Sequence, residues 1–157
     1  MSFETHKAKF TRTFCAAHRL LNDDSPCHRI HGHNYKAEIL VVVQRLSEEG
    51  FVIHADRIKE VVDQRFDHRL ILHEEDPTLI GEMVPLTGFQ EDEGRTRFES
   101  AEGMVVRVPF EPTVENLAEE IARDVATQLS RVEQGHGYVE VWLEEVPTIS
   151  AMARVEW

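Results

Sequence analysis

The stretch Cys27-His28-Arg29-Ile30-His31-Gly32-His33-Asn34-Tyr35 holds a thiol and three imidazoles, the densest group of chemically capable side chains in the 157-residue chain. His31 and His33 are two positions apart, so in an extended segment both leave the same face, with backbones about 6.5–7 Å apart. Two imidazoles so placed can lean onto one metal ion. Zinc bound by His nitrogens alone usually takes three of them and keeps a fourth position for water or substrate, the arrangement of a catalytic centre. Parity supplies the third. In the alternating segment Lys7 to His18, residues Phe10, Phe14, Ala16 and His18 share one face, with Lys9, Thr11, Thr13 and Cys15 on the other. His18 therefore ends the apolar face of one predicted strand. His31 and His33 end the apolar face formed by Tyr35, Ala37, Ile39, Val41 and Val43 of the next. A solitary His on an apolar face is more often a hydrogen-bonded core residue than a ligand. Three at the ends of neighbouring strands point to zinc.

The elements that must hold these groups follow in order. Leu20 to Pro26 contains Asn-Asp-Asp-Ser-Pro, a turn-rich loop, and Cys27 comes just after it. Beyond the second strand, Ser47 to Gly50 turns the chain and Phe51 to Ile53 reads as a short extended piece. Ile58, Val61, Val62 and Phe66 fall at helical spacing behind Asp56, a predicted N-cap, and Asp67-His68 stands near that helix's end. Residues 74–107 are expected to form a hairpin-like insertion, with Met104 to Val108 as a strand and Met83 to Leu86 or Thr96 to Phe98 as its partner. Pro112-Thr113 opens a second helix whose stripe is Val114, Leu117, Ala118, Ile121, Val125 and Leu129, with Gly135 and Gly137 marking its end. Tyr138 to Glu145 alternates, with Val139, Val141 and Leu143 on the face where Glu145 takes the last position. Ile149, Ala151, Ala153, Val155 and Trp157 line a closing strand. This order predicts an α+β domain, a four-stranded antiparallel sheet carrying both helices on one face.

Length and a composition of 41% hydrophobic and 29% charged residues fit a single globular domain over 1–157. The longest strongly apolar run, Ile39 to Val43, is far short of a membrane span, and Ser2 to Lys9 lacks the apolar centre of a signal peptide. Two cysteines, Cys15 and Cys27, make no disulfide framework, so a reducing cytoplasm is expected. A net charge of -12 argues against nucleic acid as a partner. The charge is uneven. Between Glu74 and Glu102 nine carboxylates face only Arg95 and Arg97, whereas Met1 to Lys36 is mildly basic, which suits an anionic small molecule.

Five motifs in sequence carry a resemblance. They are Phe14-Cys15-Ala16-Ala17-His18-Arg19-Leu20, Cys27-x-x-x-His31-Gly32-His33-Asn34-Tyr35, Asp67-His68, Pro112-Thr113-x-Glu115-Asn116-Leu117-Ala118, and Glu145-Val146-Pro147-Thr148. From about Lys9 to Ala153, excluding much of 74–107, the chain resembles the 6-pyruvoyl-tetrahydropterin synthase family, whose bacterial branch includes 6-carboxytetrahydropterin synthase. The resemblance implies the tunnelling fold, in which strands of several subunits form a barrel, here a homohexamer with active sites at subunit contacts. It implies zinc on His18, His31 and His33, the three that parity selects. It also implies Cys27 as catalytic thiol, with Asp67 and His68 as the acidic and imidazole members of its triad, supplied from a neighbouring subunit. Glu145 is implied as the anchor of a small-molecule pterin, and Thr113 and Glu115 as residues beside that pterin. The implied reaction converts 7,8-dihydroneopterin triphosphate to 6-carboxytetrahydropterin in the queuosine pathway, with the pyruvoyl product or a non-catalytic pterin binder as alternatives. Three features depart from the family pattern. His54 stands where Asp or Asn is expected, either as a spare imidazole near zinc or as an altered helix cap. The segment 74–107 is longer than in compact members, and Cys15 replaces a common Glu or Ser and receives no role.

Overall fold

Sustained apolar and polar alternation builds two strands of 13 residues, β1 (His6–His18) and β2 (His31–Val43), which pair antiparallel over their whole length. The computed structural model describes residues 4–77, 104–130 and 134–157. After β2 comes helix α1 (Ala55–Phe66), whose Ile58, Val61, Val62 and Phe66 are buried at helical spacing. Its cap is His54 and not the predicted Asp56: the His54 Nδ1 accepts the Asp56 backbone N–H at 3.2 Å. That resolves the two readings of His54 in favour of the altered cap. Phe51 to Ile53, expected to be extended, forms no strand and leads into this cap.

The sheet differs from the four-stranded antiparallel expectation. It has six strands in the order β4-β3-β1-β2-β5-β6 and is mixed. β3 (Arg69–His73) runs parallel to β1, and β4 (Val105–Val108) runs parallel to β3. The reason that β3 escapes a pattern search is physical: a short strand of a parallel pairing reads as an apolar run, here Leu70-Ile71-Leu72, without the period of two. β4 lies within the expected strand but pairs with β3; Met83 to Leu86 and Thr96 to Phe98, its expected partners, lie outside the described residues. Helix α2 (Val114–Ser130) then buries every residue of its predicted stripe. The chain closes with β5 (Gly137–Val146) and β6 (Ile149–Glu156), antiparallel to each other, with β5 antiparallel to β2.

Both helices press on the same sheet face. Phe14, Tyr35, Ile39, Val41, Val139, Val141 and Leu143 join the buried stripes of α1 and α2 in one cluster. Charged contacts tie the layers at their margins. Arg12 on β1 reaches Asp63 on α1, its Nε donating to Oδ1 at 3.0 Å, while Arg65 on α1 bridges Glu120 at 2.7 Å and Asp124 on α2. Buried Gln134 donates its amide to the carbonyls of Arg45, Phe51 and Val52 at 3.2, 3.1 and 3.0 Å, which pins the loop between β2 and α1. No helix among the described residues is long and apolar enough to cross a membrane.

β5 starts at a point of close backbone approach. A Cβ on Gly137 would lie 2.1 Å from the Val42 carbonyl oxygen and 2.7 Å from the Trp157 ring. Gly137 also exchanges backbone hydrogen bonds with Trp157, so neither neighbour can withdraw freely. Gly137→Ala should destabilise the protein by about 1–3 kcal/mol, the usual range for overpacking, read as a lower thermal midpoint.

Candidate functional site

The register of β1 on β2 builds a corner of three imidazoles. It sets His18 directly opposite His31 and Ala16 opposite His33. Opposed residues of antiparallel strands share a face, and ring side chains also reach their diagonal neighbours. The ring centroids accordingly lie 4.5 Å (His18 to His31), 5.1 Å (His18 to His33) and 5.0 Å (His31 to His33) apart. One ligating nitrogen of each falls within 4.8 Å of the other two.

Hydrogen bonds decide which nitrogens can ligate. His18 Nδ1 sits 2.7 Å from the Pro112 carbonyl oxygen, and His31 Nδ1 sits 2.6 Å from that of Arg29. A carbonyl only accepts, so each Nδ1 carries the proton and donates it. In a neutral imidazole the Nε2 is then a lone pair. The two Nε2 atoms nevertheless face each other at 3.1 Å. Two lone pairs so close repel unless a proton or a cation lies between them. His33 adds a second demand: its Nε2 is buried without a hydrogen-bond partner. Burial holds the His18 ring below its ordinary pKa, against the opposing pull of the Pro112 carbonyl and Glu145, which favours the neutral, ligating form. The donor set, the tautomers and the orphaned nitrogen all fit a divalent metal ion such as zinc.

Glu145 faces this corner. Its Oε1 lies 3.5 Å from His18 Nε2 and 3.7 Å from His33 Nε2, and it accepts the Tyr35 hydroxyl at 3.3 Å. Burial, reinforced by the Glu145 charge, pushes the Tyr35 phenol far above its ordinary pKa, so it stays a donor. Among the described residues no hydrogen bond engages Glu145 Oε2. Tyr35 was legible only as the next residue on the His31 and His33 face; its bond to Glu145 depends on β5 lying beside β2.

Cys27 sits exposed in a single 3₁₀ turn, Pro26–His28, capped by Ser25. Its carbonyl accepts the Leu20 N–H at 3.0 Å and its own N–H donates to Ser25 Oγ at 3.1 Å. Glu111 clamps the start of the same loop. Its carboxylate accepts the backbone N–H groups of Leu21 (2.8 Å) and Asn22 (3.0 Å) and the Asn22 side-chain amide (2.8 Å). Sequence reasoning missed Glu111, although it immediately precedes Pro112-Thr113. One short segment thus steadies both the thiol loop and, through the Pro112 carbonyl, the His18 ring.

Asp67 and His68 are brought together, His68 Nδ1 lying 3.0 Å from Asp67 Oδ2, but the thiol beside them is Cys15 and not Cys27. Asp67 Oδ1 accepts the Cys15 N–H at 3.0 Å, and this bond is the main reason its carboxyl titrates below the usual range, with His68 assisting. His68 adopts a left-handed backbone (φ 57) just past the end of α1, and its N–H donates to the Cys15 carbonyl at 2.7 Å. Thr113 caps α2 through the Asn116 N–H at 3.3 Å, and Glu115 is exposed on the first turn; no hydrogen bond among the described residues joins either to the imidazole corner.

A mixed sheet backed by two helices, with three imidazoles gathered at the end of its central hairpin, defines an α+β protein with a donor set that could hold a metal ion. The chain belongs to the 6-pyruvoyl tetrahydropterin synthase family, whose sequence profile matches residues 7–156. Relatives named 6-carboxy-5,6,7,8-tetrahydropterin synthase include one from Rickettsia bellii, 31% identical over 120 residues (74% of this chain, 77% of the relative). Another from Bacillus subtilis is 28% identical over 148 residues (94% and 82%). Among solved structures, an uncharacterized protein of Wolinella succinogenes matches with a TM-score of 0.65 at 20% identity, covering 97% of this chain and 98% of that one. The 6-pyruvoyl tetrahydropterin synthase of Plasmodium vivax matches with a TM-score of 0.56 at 16% identity, covering 98% and 99%. Membership places the chain in a family of tetrahydropterin synthases, whose named activity is of lyase type.

Replacing His31 with Ala should lower zinc affinity more than the roughly 10–100-fold usual when a residue hydrogen-bonded to a ligand is lost. Metal analysis after dialysis should find the variant carrying one zinc equivalent fewer per chain than the wild type.

Proposed function

We infer that the protein is a zinc-dependent 6-carboxytetrahydropterin synthase, converting 7,8-dihydroneopterin triphosphate and one water to 6-carboxy-5,6,7,8-tetrahydropterin with release of acetaldehyde and triphosphate. Its place would be the queuosine pathway. The observation that carries the reading is the pair of Nε2 lone pairs of His18 and His31 at 3.1 Å, held there by backbone carbonyls, with His33 Nε2 unpartnered beside them. The names of the curated relatives point to the same product. Zinc, when bound, would supply Lewis-acid polarisation of the substrate's side-chain hydroxyls.

The chain's own residues would do the rest. Glu145 would bind the 2-aminopyrimidinone edge of the pterin, whose adjacent N–H groups suit a carboxylate; charge-assisted bonds there give orientation as well as affinity. Tyr35 occupies one lone pair of Oε1 and so turns the remaining acceptor capacity toward a ligand. Cys27 would move protons at the substrate side chain, from a turn already fixed by Leu20, Ser25 and Glu111. Asp67 would orient His68 through Nδ1, leaving Nε2 for proton exchange. Thr113 and Glu115 would lie beside the bound pterin.

Cys27 and the pair Asp67 and His68 are not neighbours within one chain, which supports an assembly in which a second copy completes each site. Trp142 and Met152, paired across β5 and β6, are each 48% exposed on the sheet face away from the core, an apolar surface suited to such a contact. A homohexamer is the form implied. Both thiols are free, as a reducing cytoplasm would keep them.

Incubating the zinc-loaded protein with 7,8-dihydroneopterin triphosphate and identifying products by mass should give the carboxy compound and acetaldehyde. A pyruvoyl product would reassign the reaction, and unchanged substrate would leave a pterin-binding protein. Cys27→Ala should retain zinc while losing turnover roughly 100-fold to 10,000-fold, the usual worth of a positioned acid or base.

A further inference from the structure

Cys15, Asp67 and His68 form a second group of ligands on the sheet face opposite the three imidazoles. Parity sets the separation: Phe14, Ala16 and His18 point into the core, whereas Cys15 is exposed. The three donor atoms lie within 4.8 Å of one another, although Asp67 and His68 are distant from Cys15 in sequence. The parallel pairing of β1 with β3, which sets Ala16 against Arg69, brings the segments together. Two bonds then lock them, from Cys15 N–H to Asp67 Oδ1 at 3.0 Å and from His68 N–H to the Cys15 carbonyl at 2.7 Å. A hollow of about 500 Å³ has Cys15 and His68 in its wall, with His33 also lining it, and leaves room for an ion and an exogenous ligand.

We propose that Cys15, Asp67 and His68 constitute a second divalent-cation site, for zinc or another thiophilic ion, separate from the three-imidazole corner. One sulfur, one imidazole nitrogen and one carboxylate oxygen make a borderline-soft set, which selects zinc, cobalt or copper over magnesium or calcium. Bond lengths of about 2.0–2.3 Å to zinc place tetrahedral ligands roughly 3.3–3.8 Å apart. The 3.0 Å contact of Asp67 Oδ2 with His68 Nδ1 is a hydrogen bond that an ion would replace, and the His68 ring, 76% exposed, is free to turn to the longer ligand spacing. Three protein ligands leave one position for water or an added ligand. An ion held here occupies the same Asp67 and His68 proposed for proton transfer, so the two uses exclude each other at any moment. Metal binding at this site does not require turnover and is measured without substrate.

The test is titration of the metal-free protein with cobalt(II), reading stoichiometry and the near-ultraviolet thiolate-to-cobalt charge-transfer band. Wild type should bind two equivalents per chain, one of which gives the band. Cys15→Ser should bind one equivalent without it; His31→Ala should bind one equivalent and keep it; Cys27→Ser should match wild type. Asp67→Asn, with far-ultraviolet circular dichroism confirming the fold of each variant, should weaken the band-forming equivalent at least tenfold. Saturation of wild type at one equivalent with no band overturns the proposal. So does a band that survives Cys15→Ser, or one that disappears with Cys27→Ser or His31→Ala.

Discussion

The antiparallel register that sets His18 against His31 is the constraint on which the rest of the molecule depends. A slip of one residue between β1 and β2 would turn one strand's side chains to the other face. Phe14, Ala16, Tyr35, Ala37, Ile39 and Val41 would no longer share the core, and the three imidazoles would no longer share a corner. Burial of the apolar residues therefore fixes the arrangement of the three imidazoles as a by-product. The same side-chain period that makes a core of one end of the hairpin makes a ligand set of the other.

Placing imidazoles at the end of a core is costly unless their polar atoms are satisfied. Here the Pro112 and Arg29 carbonyls take the Nδ1 protons of His18 and His31, and Glu145 with Tyr35 closes the corner from β5. What stays unsatisfied is the set of Nε2 atoms, all turned inward. The hydrogen bonds thus go to orientation and leave the Nε2 lone pairs available. Glu111 and Pro112 link this corner to the loop bearing Cys27, so an error in that connection would disturb thiol and ligand together.

The two cysteines occupy different environments despite similar exposure. Cys27 is displayed from a clamped turn after the first strand, and Cys15 stands on the outer face of β1 next to Asp67 and His68. Within one chain the residues that the family resemblance groups with Cys27 are instead gathered around Cys15. In the assembly proposed above, a second copy would supply those partners to Cys27.

Much of the fold was legible because its main elements obey simple periods. β1, β2, β5 and β6 alternate, and the stripe of α2 is buried residue for residue. The three-imidazole set was legible for the same reason, since parity selects His18, His31 and His33 before any contact is known. β3 was not, because a short run such as Leu70-Ile71-Leu72 has no period to read, and its parallel partners are distant in sequence. Nor was the cap of α1: Asp56 has the commoner chemistry, but His54 stands where the backbone turns into the helix. The sequence by itself determined which side chains share a face, because alternation is a local property of the chain. Only the tertiary structure decided which faces meet: that Pro112 would fix the His18 tautomer, that Glu145 would look onto the imidazoles, and that Cys15 would lie against Asp67 and His68. Each of those contacts joins residues 50 or more positions apart, and nothing in the local pattern of either partner encodes the other.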